Sequence, residues 1–186
     1  MHRDEIGGEQ AEAIEVGDGP RAVALGSDQA PGNNSHNIFS EMRATAMHPK
    51  IRAEHPLAIP SWQVLRSATI EGAEVLGVAD RVGSLEVGKE ADLILLDLTR
   101  PPLAPVLLRP ARNLVANLVY AETGRNVELS MVAGKIIYRD GRFSNVDAEE
   151  IHGKVRAAAE RLQRATAADD RTRDLPIVDL TRRGLA

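Results

Sequence analysis

Residues 83–97, Gly-Ser-Leu-Glu-Val-Gly-Lys-Glu-Ala-Asp-Leu-Ile-Leu-Leu-Asp, constrain the fold of this chain more than any other stretch. Glycine adopts positive φ without steric cost, so Gly83 and Gly88 suit a strand end and a turn. Residues 91–98 then form an apolar run of strand length, interrupted only by aspartates. The segment predicts a strand, a turn at 86–89 and a second strand, and none of its residues is a candidate for catalysis.

Composition excludes several classes of protein. The 186 residues carry a formal net charge of −4 without a basic stripe, so binding to nucleic acid has no electrostatic basis. There is no cysteine, which excludes disulfides and thiolate metal ligands. No apolar run approaches the ~18 residues of a membrane-spanning helix, and no apolar secretory signal is visible near the N-terminus. We therefore expect a globular protein of the cytoplasm with no membrane or nucleic-acid partner.

Prolines, glycines and capping residues divide the chain into short elements. Asp147 can accept hydrogen bonds from the first N–H groups of a long alanine-rich helix that ends near residue 167. Ala133 and Gly134 suit the tight turn of a β-hairpin. The other expected elements are a short helix at 9–16, a short buried strand at 21–26, helices at 37–47 (ended by Pro49), from Pro60, from Thr69 to Gly77 and at 111–122, strands at 127–132 and 135–139, and a poorly ordered tail at 169–186.

Several segments together resemble one enzyme family. Residues 24–28, Ala-Leu-Gly-Ser-Asp, resemble the eighth barrel strand of the metal-dependent amidohydrolases, and residues 29–34 resemble the loop after it. Residues 67–73 resemble the helical segment that leads to the hairpin at 83–97, and residues 131–141 resemble the closing hairpin of the small β-domain. The pattern is similar to cytosine deaminases, to deaminases of methylthioadenosine and adenosylhomocysteine, and to triazine chlorohydrolases.

The resemblance implies an α/β fold: the terminal βα unit of a TIM-barrel amidohydrolase, part of the small composite β-domain, and a C-terminal helix. A complete (β/α)₈ barrel takes about 250 residues, and this chain has 186. Its five histidines include no His-x-His pair, which the family uses for its metal. We therefore expect the C-terminal part of such an enzyme. Its expected divisions are a divergent polar segment (1–21), the last barrel strand with its helices (22–80), the partial β-domain (81–146), the C-terminal helix (147–168) and the tail (169–186).

Asp28 is the main candidate for a site residue. It follows an apolar strand and precedes a Pro-Gly loop, which is where a barrel strand meets its active-site loop. The resemblance implies that Asp28 is both catalytic and a ligand of a divalent metal, zinc or iron, and that it handles a proton of the attacking water. Without the resemblance, an ordinary strand-end or Asx-turn aspartate is the favoured interpretation of Asp28.

Two asparagines and one histidine follow Asp28 closely. The amides of Asn33 and Asn34 can pair with the edge of a heterocycle, which makes them candidates for substrate binding, although loop residues that tolerate a left-handed backbone are an equal alternative. The family pattern requires no ligand at His36, so we expect a surface or helix-start histidine there. We expect the remaining histidines in the element regions, His48, His55 and His152, to be structural or solvated.

The resemblance implies hydrolysis of a non-peptide carbon–nitrogen bond. Water activated by the metal would deaminate, or dechlorinate, a purine, pyrimidine or triazine-like heterocycle. We expect the chain alone to be inactive and not to retain the metal. The alternatives are a non-catalytic binding or structural module, and one half of a split enzyme. The expected partner is a complementary N-terminal amidohydrolase chain or further copies of this chain, because unpaired strand edges favour association.

Overall fold

The computed structural model describes residues 22–28, 34–168 and 175–184. The short helix predicted at 9–16, and Asn33, therefore lie outside the described residues. The elements within them are mixed helix and strand. In chain order they are α1 (Ile38–Ala53), α2 (Ser61–Ser67), α3 (Ile70–Val75), β1 (Leu93–Leu96), α4 (Leu114–Tyr120), β2 (Val127–Val132), β3 (Lys135–Arg139), β4 (Arg142–Phe143), α5 (Ala148–Ala168) and α6 (Pro176–Arg182).

One apolar core lies where α1, α2 and α4 pack together. Removing these side chains from water stabilises the three helices jointly, because none of them buries enough apolar surface by itself. Leu25 packs against the same core and so attaches the segment 22–28 to it. The buried members of the core are Phe39, Met42 and Ala46 of α1, Val64 of α2 and Val119 of α4.

The strands form an antiparallel sheet in the order β1-β2-β3-β4. The predicted strands at 127–132 and 135–139 and their tight turn are confirmed. Ala133 and Gly134 have φ of 47° and 75°, the two left-handed residues that a type I′ hairpin turn requires. Within the described residues β1 pairs only with β2, so its other side is an open edge of the sheet.

The first half of the predicted strand-turn-strand unit is wrong. Residues 83–92 form bends, a turn and irregular backbone. The N–H of Lys89 donates to the carbonyl of Glu86 (3.2 Å), and the N–H of Glu90 donates to the carbonyl of Arg81 (2.8 Å). The second strand is present as β1, but β2 is its partner. A strand persists only where a neighbour satisfies its backbone groups, and the described chain places none beside 83–87.

The buried strand predicted at 21–26 is also wrong for residues 22–26, which have no regular secondary structure. Val23 is 53% exposed, and Leu25 is only half-buried. The described sheet contains no strand beside this segment that could satisfy its backbone groups. The segment is therefore attached to the protein by the packing of Leu25 on the core and not by strand pairing.

Helix α1 is longer than the sequence predicts. It was expected to end before Pro49, but it continues to Ala53 and ends at Glu54, whose φ is 49°. Proline removes one helical hydrogen bond. Packing of the buried face of α1 offsets that loss, and the ammonium of Lys50 in the last turn donates to the hydroxyl of Tyr120 on α4.

The residues at the starts of α2, α3 and α4 make no side-chain cap bond to their own helices. Pro60 is the N-cap of α2, one position before the predicted first turn. Thr69 precedes α3 as expected, but its hydroxyl donates back to the carbonyl of Leu65 (2.8 Å) instead of capping α3. Asn113 precedes the shorter helix α4, because its side chain bonds the preceding loop at the carbonyl of Pro105 (2.9 Å).

The C-terminal region is more regular than expected. Asp147 caps α5 as predicted, since its carboxylate accepts from the N–H groups of Glu149 (2.9 Å) and Glu150 (3.2 Å). The tail was expected to be poorly ordered, but Pro176–Arg182 forms the helix α6. Proline suits the first position of a helix because that N–H has no helical partner. Among the described helices, none has both the length and the apolar content needed to cross a membrane.

Candidate functional site

Asp28 lies at the end of the segment 22–28 and is exposed. Its φ is 54°, so its backbone is in the left-handed region. Asn34, where the described chain resumes, is likewise exposed and has a φ of 56°. Asp and Asn tolerate this conformation better than other non-glycine residues. Asp28 and Asn34, the two candidates within the described residues, thus share the same left-handed backbone conformation.

A side-chain contact brings the two ends of this loop together. The Nδ1 atom of His36 lies 3.2 Å from the Oγ atom of Ser27. The Ser27 hydroxyl also makes a long contact, 3.5 Å, with the carbonyl oxygen of Asp28, to which it can donate. His36 is exposed and directly precedes Asn37, the N-cap of α1, in agreement with a surface or helix-start histidine. Its contact with Ser27 was not predicted, since no sequence pattern reports a contact nine residues away across a loop.

Asn37 anchors the start of α1 on both sides. Its Oδ1 atom accepts from the N–H of Phe39 (3.0 Å), which is the usual side-chain bond of an N-cap. Its Nδ2 group donates to the carbonyl oxygen of Thr123 (2.9 Å), in the turn after α4. The cap could be read from the sequence, but the bond to Thr123, 86 residues away, could not. Residue 36 is therefore held against the body of the protein.

The described residues do not build a complete zinc site. Catalytic zinc usually has three protein ligands, and no group of three His, Cys, Asp or Glu side chains among the described residues could hold a metal ion. Asp28 is thus a single candidate ligand. His48 and His152 are exposed, and Nδ1 of His55 accepts from the N–H of Leu57 (3.2 Å), in agreement with the expected solvated or structural roles.

An open apolar groove of about 570 Å³ lies between α2, α3, the turn after α3 and the start of β1. The segment that leads to Asp28 forms one side of it, with Ala24 and Leu25. At its rim, Leu76 and Leu85 are 75% and 78% exposed. The lining of the groove is therefore mainly apolar and partly open to solvent. It adjoins the open edge of β1.

Perturbed ionisation occurs at structural turns. The hydroxyl and N–H of Thr99 donate to the Asp97 carboxylate and, together with the neighbouring Arg100, lower the pKa of Asp97. The hydroxyl of Ser84 and the ammonium of Lys89 lower the pKa of Glu86. Both carboxylates fix turns at the two ends of the β1 region, so these shifts report local structure.

Comparison with known proteins places the chain in a family. Residues 7–137 match the model of the Amidohydrolase family. The 5'-deoxyadenosine deaminase of Methanobrevibacter smithii is 36% identical over 144 residues, which are 77% of this chain and 32% of that protein. The 5-methylthioadenosine/S-adenosylhomocysteine deaminase of Moorella thermoacetica is 41% identical over 133 residues, 72% of this chain and 30% of that protein.

A solved structure agrees with the two relatives. The crystal structure of an adenosine deaminase from Xanthomonas campestris with bound zinc superposes with a TM-score of 0.69 at 33% identity, over 75% of this chain and 31% of that chain. This chain belongs to the amidohydrolase family, has its α/β fold, and resembles members that are deaminases. It spans about a third of the length of the curated relatives that it matches.

Proposed function

We propose that this chain forms the C-terminal part of an aminohydrolase that deaminates a purine, with Asp28 in its active site. The position of Asp28 carries the proposal: an exposed carboxylate with left-handed backbone at the end of a segment that Leu25 fixes to the core. The relatives named above are deaminases of adenosine-type compounds. An amino-substituted purine nucleoside with a modified 5′ position is therefore the substrate class that they favour.

Hydrolytic deamination requires a base that takes a proton from water and an acid that gives one to the leaving amine. The Asp28 carboxylate suits the first task, because it is exposed and can reach bulk water. Such a site must also recognise the edge of the heterocycle, and the amides of Asn33 and Asn34 suit that separate task. We assign the proton acceptor to Asp28 and substrate contact to the two asparagines.

The remaining parts of the site come, in this proposal, from outside the described residues. The zinc-bound Xanthomonas campestris structure supports a divalent metal in the family, and the described residues offer it no group of three ligands. The chain alone is then inactive and holds the metal weakly. A complementary N-terminal amidohydrolase chain, or the corresponding stretch of a longer polypeptide in the cytoplasm, supplies the histidines.

The two open apolar surfaces support this division of the fold. In the proposal, residues 22–80 complete the barrel, residues 81–146 contribute half of a composite β-domain, and α5 is the C-terminal helix. The groove beside Leu25 and the free edge of β1 are then the surfaces that the complementary part covers. A complementary chain would stabilise this one by binding its folded form.

Complementation tests the proposal. We would measure ammonia release from 5′-deoxyadenosine and methylthioadenosine, with and without zinc, first with this chain alone. The second measurement uses this chain co-expressed with the part of the Moorella thermoacetica relative that it does not match. We expect no turnover by the chain alone, turnover by the pair, and a loss of at least about a hundredfold in Asp28→Asn, as for removal of a general base.

Asp140→Asn is the matched control, because Asp140 is also an exposed aspartate with left-handed backbone (φ 49°). Equal activity of the Asp28→Asn and wild-type pairs would remove Asp28 from the mechanism. Zinc-dependent turnover by the chain alone would show that its site is complete. Both results contradict the proposal in different ways.

A non-catalytic binding or structural module is the second candidate. The observation that favours it is that no group of three metal-binding side chains occurs among the described residues. A monodisperse monomer with one sharp thermal transition, which gains no activity from any complementary part, would support the module over the enzyme fragment.

A further inference from the structure

A short relay of polar contacts runs from His36 through Ser27 to the backbone of Asp28. A left-handed backbone costs an L-residue roughly 1–2 kcal/mol and persists where surrounding contacts hold it. Ser27 Oγ lies between His36 Nδ1, at 3.2 Å, and the carbonyl oxygen of Asp28, at 3.5 Å. If Nδ1 carries the proton, the imidazole donates to Ser27 Oγ, and the Ser27 hydroxyl donates onward to the Asp28 carbonyl. That tautomer uses both contacts at once.

The imidazole end of this relay is the fixed end. His36 precedes Asn37, whose side chain bonds both Phe39 N (3.0 Å) and the carbonyl of Thr123 (2.9 Å). Phe39 is 9% exposed and belongs to the core. The start of α1 is thus attached to the core through Phe39 and to the turn after α4 through Asn37. The His36 side chain contacts Ser27 from this fixed point.

We propose that His36 is a positioning residue for Asp28: through Ser27 it holds the Asp28 peptide in the left-handed conformation and so sets the direction of the carboxylate. The effect on the backbone can be measured on this chain without any partner. Its consequence for catalysis rests on the proposed function. The family resemblance requires no ligand at this position. The role follows from the contact with Ser27 and from the fixed start of α1.

The test uses the full chain and reads the backbone directly. The three-bond coupling between H^N and Hα of Asp28, together with its ¹³Cα and ¹³Cβ shifts, reports φ in solution. We would compare wild type with His36→Leu, Ser27→Ala, the double variant and His36→Gln. His152→Leu is the matched control, since His152 is an exposed histidine on α5. Circular dichroism and thermal melts establish that each variant is folded.

We expect a positive φ at Asp28 in wild type and in His152→Leu. His36→Leu and Ser27→Ala each shift the Asp28 signals towards averaged values, the double variant shifts them no further, and His36→Gln restores part of the effect because its amide can donate to Ser27 Oγ. In a complemented enzyme, His36→Leu lowers kcat on the order of tenfold, as does the loss of groups that orient a functional side chain, while KM changes little.

Unchanged Asp28 signals in both His36→Leu and Ser27→Ala would overturn the proposal, and so would a negative φ in wild type or an equal shift in His152→Leu. These outcomes are separate from failure of the proposed function. If complementation produces no deaminase while the Asp28 signals respond as expected, the enzymatic assignment fails and the positioning role of His36 stands.

Discussion

A Cβ atom placed on Gly83 would lie 2.7 Å from the Cβ atom of Ala73. It would also lie 3.0 Å from the Cα atom of Ile70, so the turn after α3 passes directly over that helix. The φ of Gly83 is 91°, and Ala73 is buried. Gly83 therefore meets two requirements at once: a backbone conformation that L-residues disfavour, and an approach that no side chain permits.

We expect Gly83→Ala to destabilise the chain by about 3 kcal/mol, the sum of backbone strain and overpacking against α3. Gly88→Ala is the control: its φ is 96°, but no atom lies within 4 Å of its added Cβ. Strain alone should cost that variant about 1 kcal/mol. Urea denaturation of both variants gives the comparison. Equal losses would show that the contact with Ala73 relaxes freely.

Asn37→Ala should lower the free energy of unfolding by about 2 kcal/mol, about half from the lost cap of α1 and half from the lost bond to Thr123. Asn37→Asp separates the two parts, because its carboxylate still accepts from Phe39 N but has no N–H for the Thr123 carbonyl. We expect its stability to lie between those of wild type and Asn37→Ala. A chemical denaturation series measures this. If Asn37→Asp and wild type are equally stable, the bond to Thr123 contributes nothing.

Asp97 should make the stability of the chain depend on pH in acid. Hydrogen bonds from Thr99, and the nearby Arg100, lower the pKa of Asp97 in the folded protein below its ordinary value. A carboxylate with a lowered folded pKa stabilises the fold above its unfolded pKa, and that contribution is lost as the pH falls through the folded pKa.

Melting temperatures of wild type and Asp97→Asn, measured from neutral pH to below pH ~3, test this expectation. The difference between them should be largest near neutrality and shrink below the unfolded pKa of about 3.9. Thr99→Ala, which loses the hydroxyl donor and keeps the N–H, should show a smaller dependence than wild type. A constant difference across this range would contradict the role of Asp97.

Association should depend on the free edge of β1. This strand is Leu-Ile-Leu-Leu, and its residues Ile94 and Leu95 are 46% and 54% exposed. The opposite edge, β4, has two residues and carries an arginine, and both properties discourage pairing with another chain. We therefore expect the isolated chain to self-associate through β1.

Leu95→Lys should shift the chain towards monomer in size-exclusion chromatography with light scattering, because a charge on an edge strand opposes pairing. Val132→Lys is the control: Val132 is 47% exposed but lies on β2, which has a neighbour on each side. A monomeric wild type across a range of concentrations would contradict the expectation. So would equal effects of the two lysines.

Features set by neighbouring residues could be predicted from the sequence. The predicted positive φ is confirmed at Gly83, Gly88 and Gly134, with values of 91°, 96° and 75°. The cap at Asp147 is confirmed for the same reason, since its carboxylate bonds N–H groups two and three residues away. Local geometry dictates Gly88, Gly134 and the cap at Asp147, whereas Gly83 is also required by its approach to Ala73.

Features that depend on distant partners could not be predicted. Nothing near residues 22–26 or 83–87 in the sequence reveals whether a strand lies beside them, and their β-propensity is not enough without one. Pro49 indicates a helix end at the level of sequence. The last turn of α1 is instead held by the bond from Lys50 to Tyr120, which lies 70 residues further along the chain. The Ser27–His36 contact is equally invisible, because no sequence pattern indicates a contact between side chains nine residues apart.

The two-residue turn at Ala133–Gly134 also has a kinetic consequence. Because only two residues separate β2 from β3, the entropy cost of bringing these strands together is small. Hairpins of this kind form in about 1–10 μs. The core, in contrast, joins Phe39 to Val119 across most of the described chain, and closing that long loop costs more entropy. We expect the hairpin to assemble first during folding. The open edge of β1 is then the last part of the sheet to form and the part longest exposed to other chains.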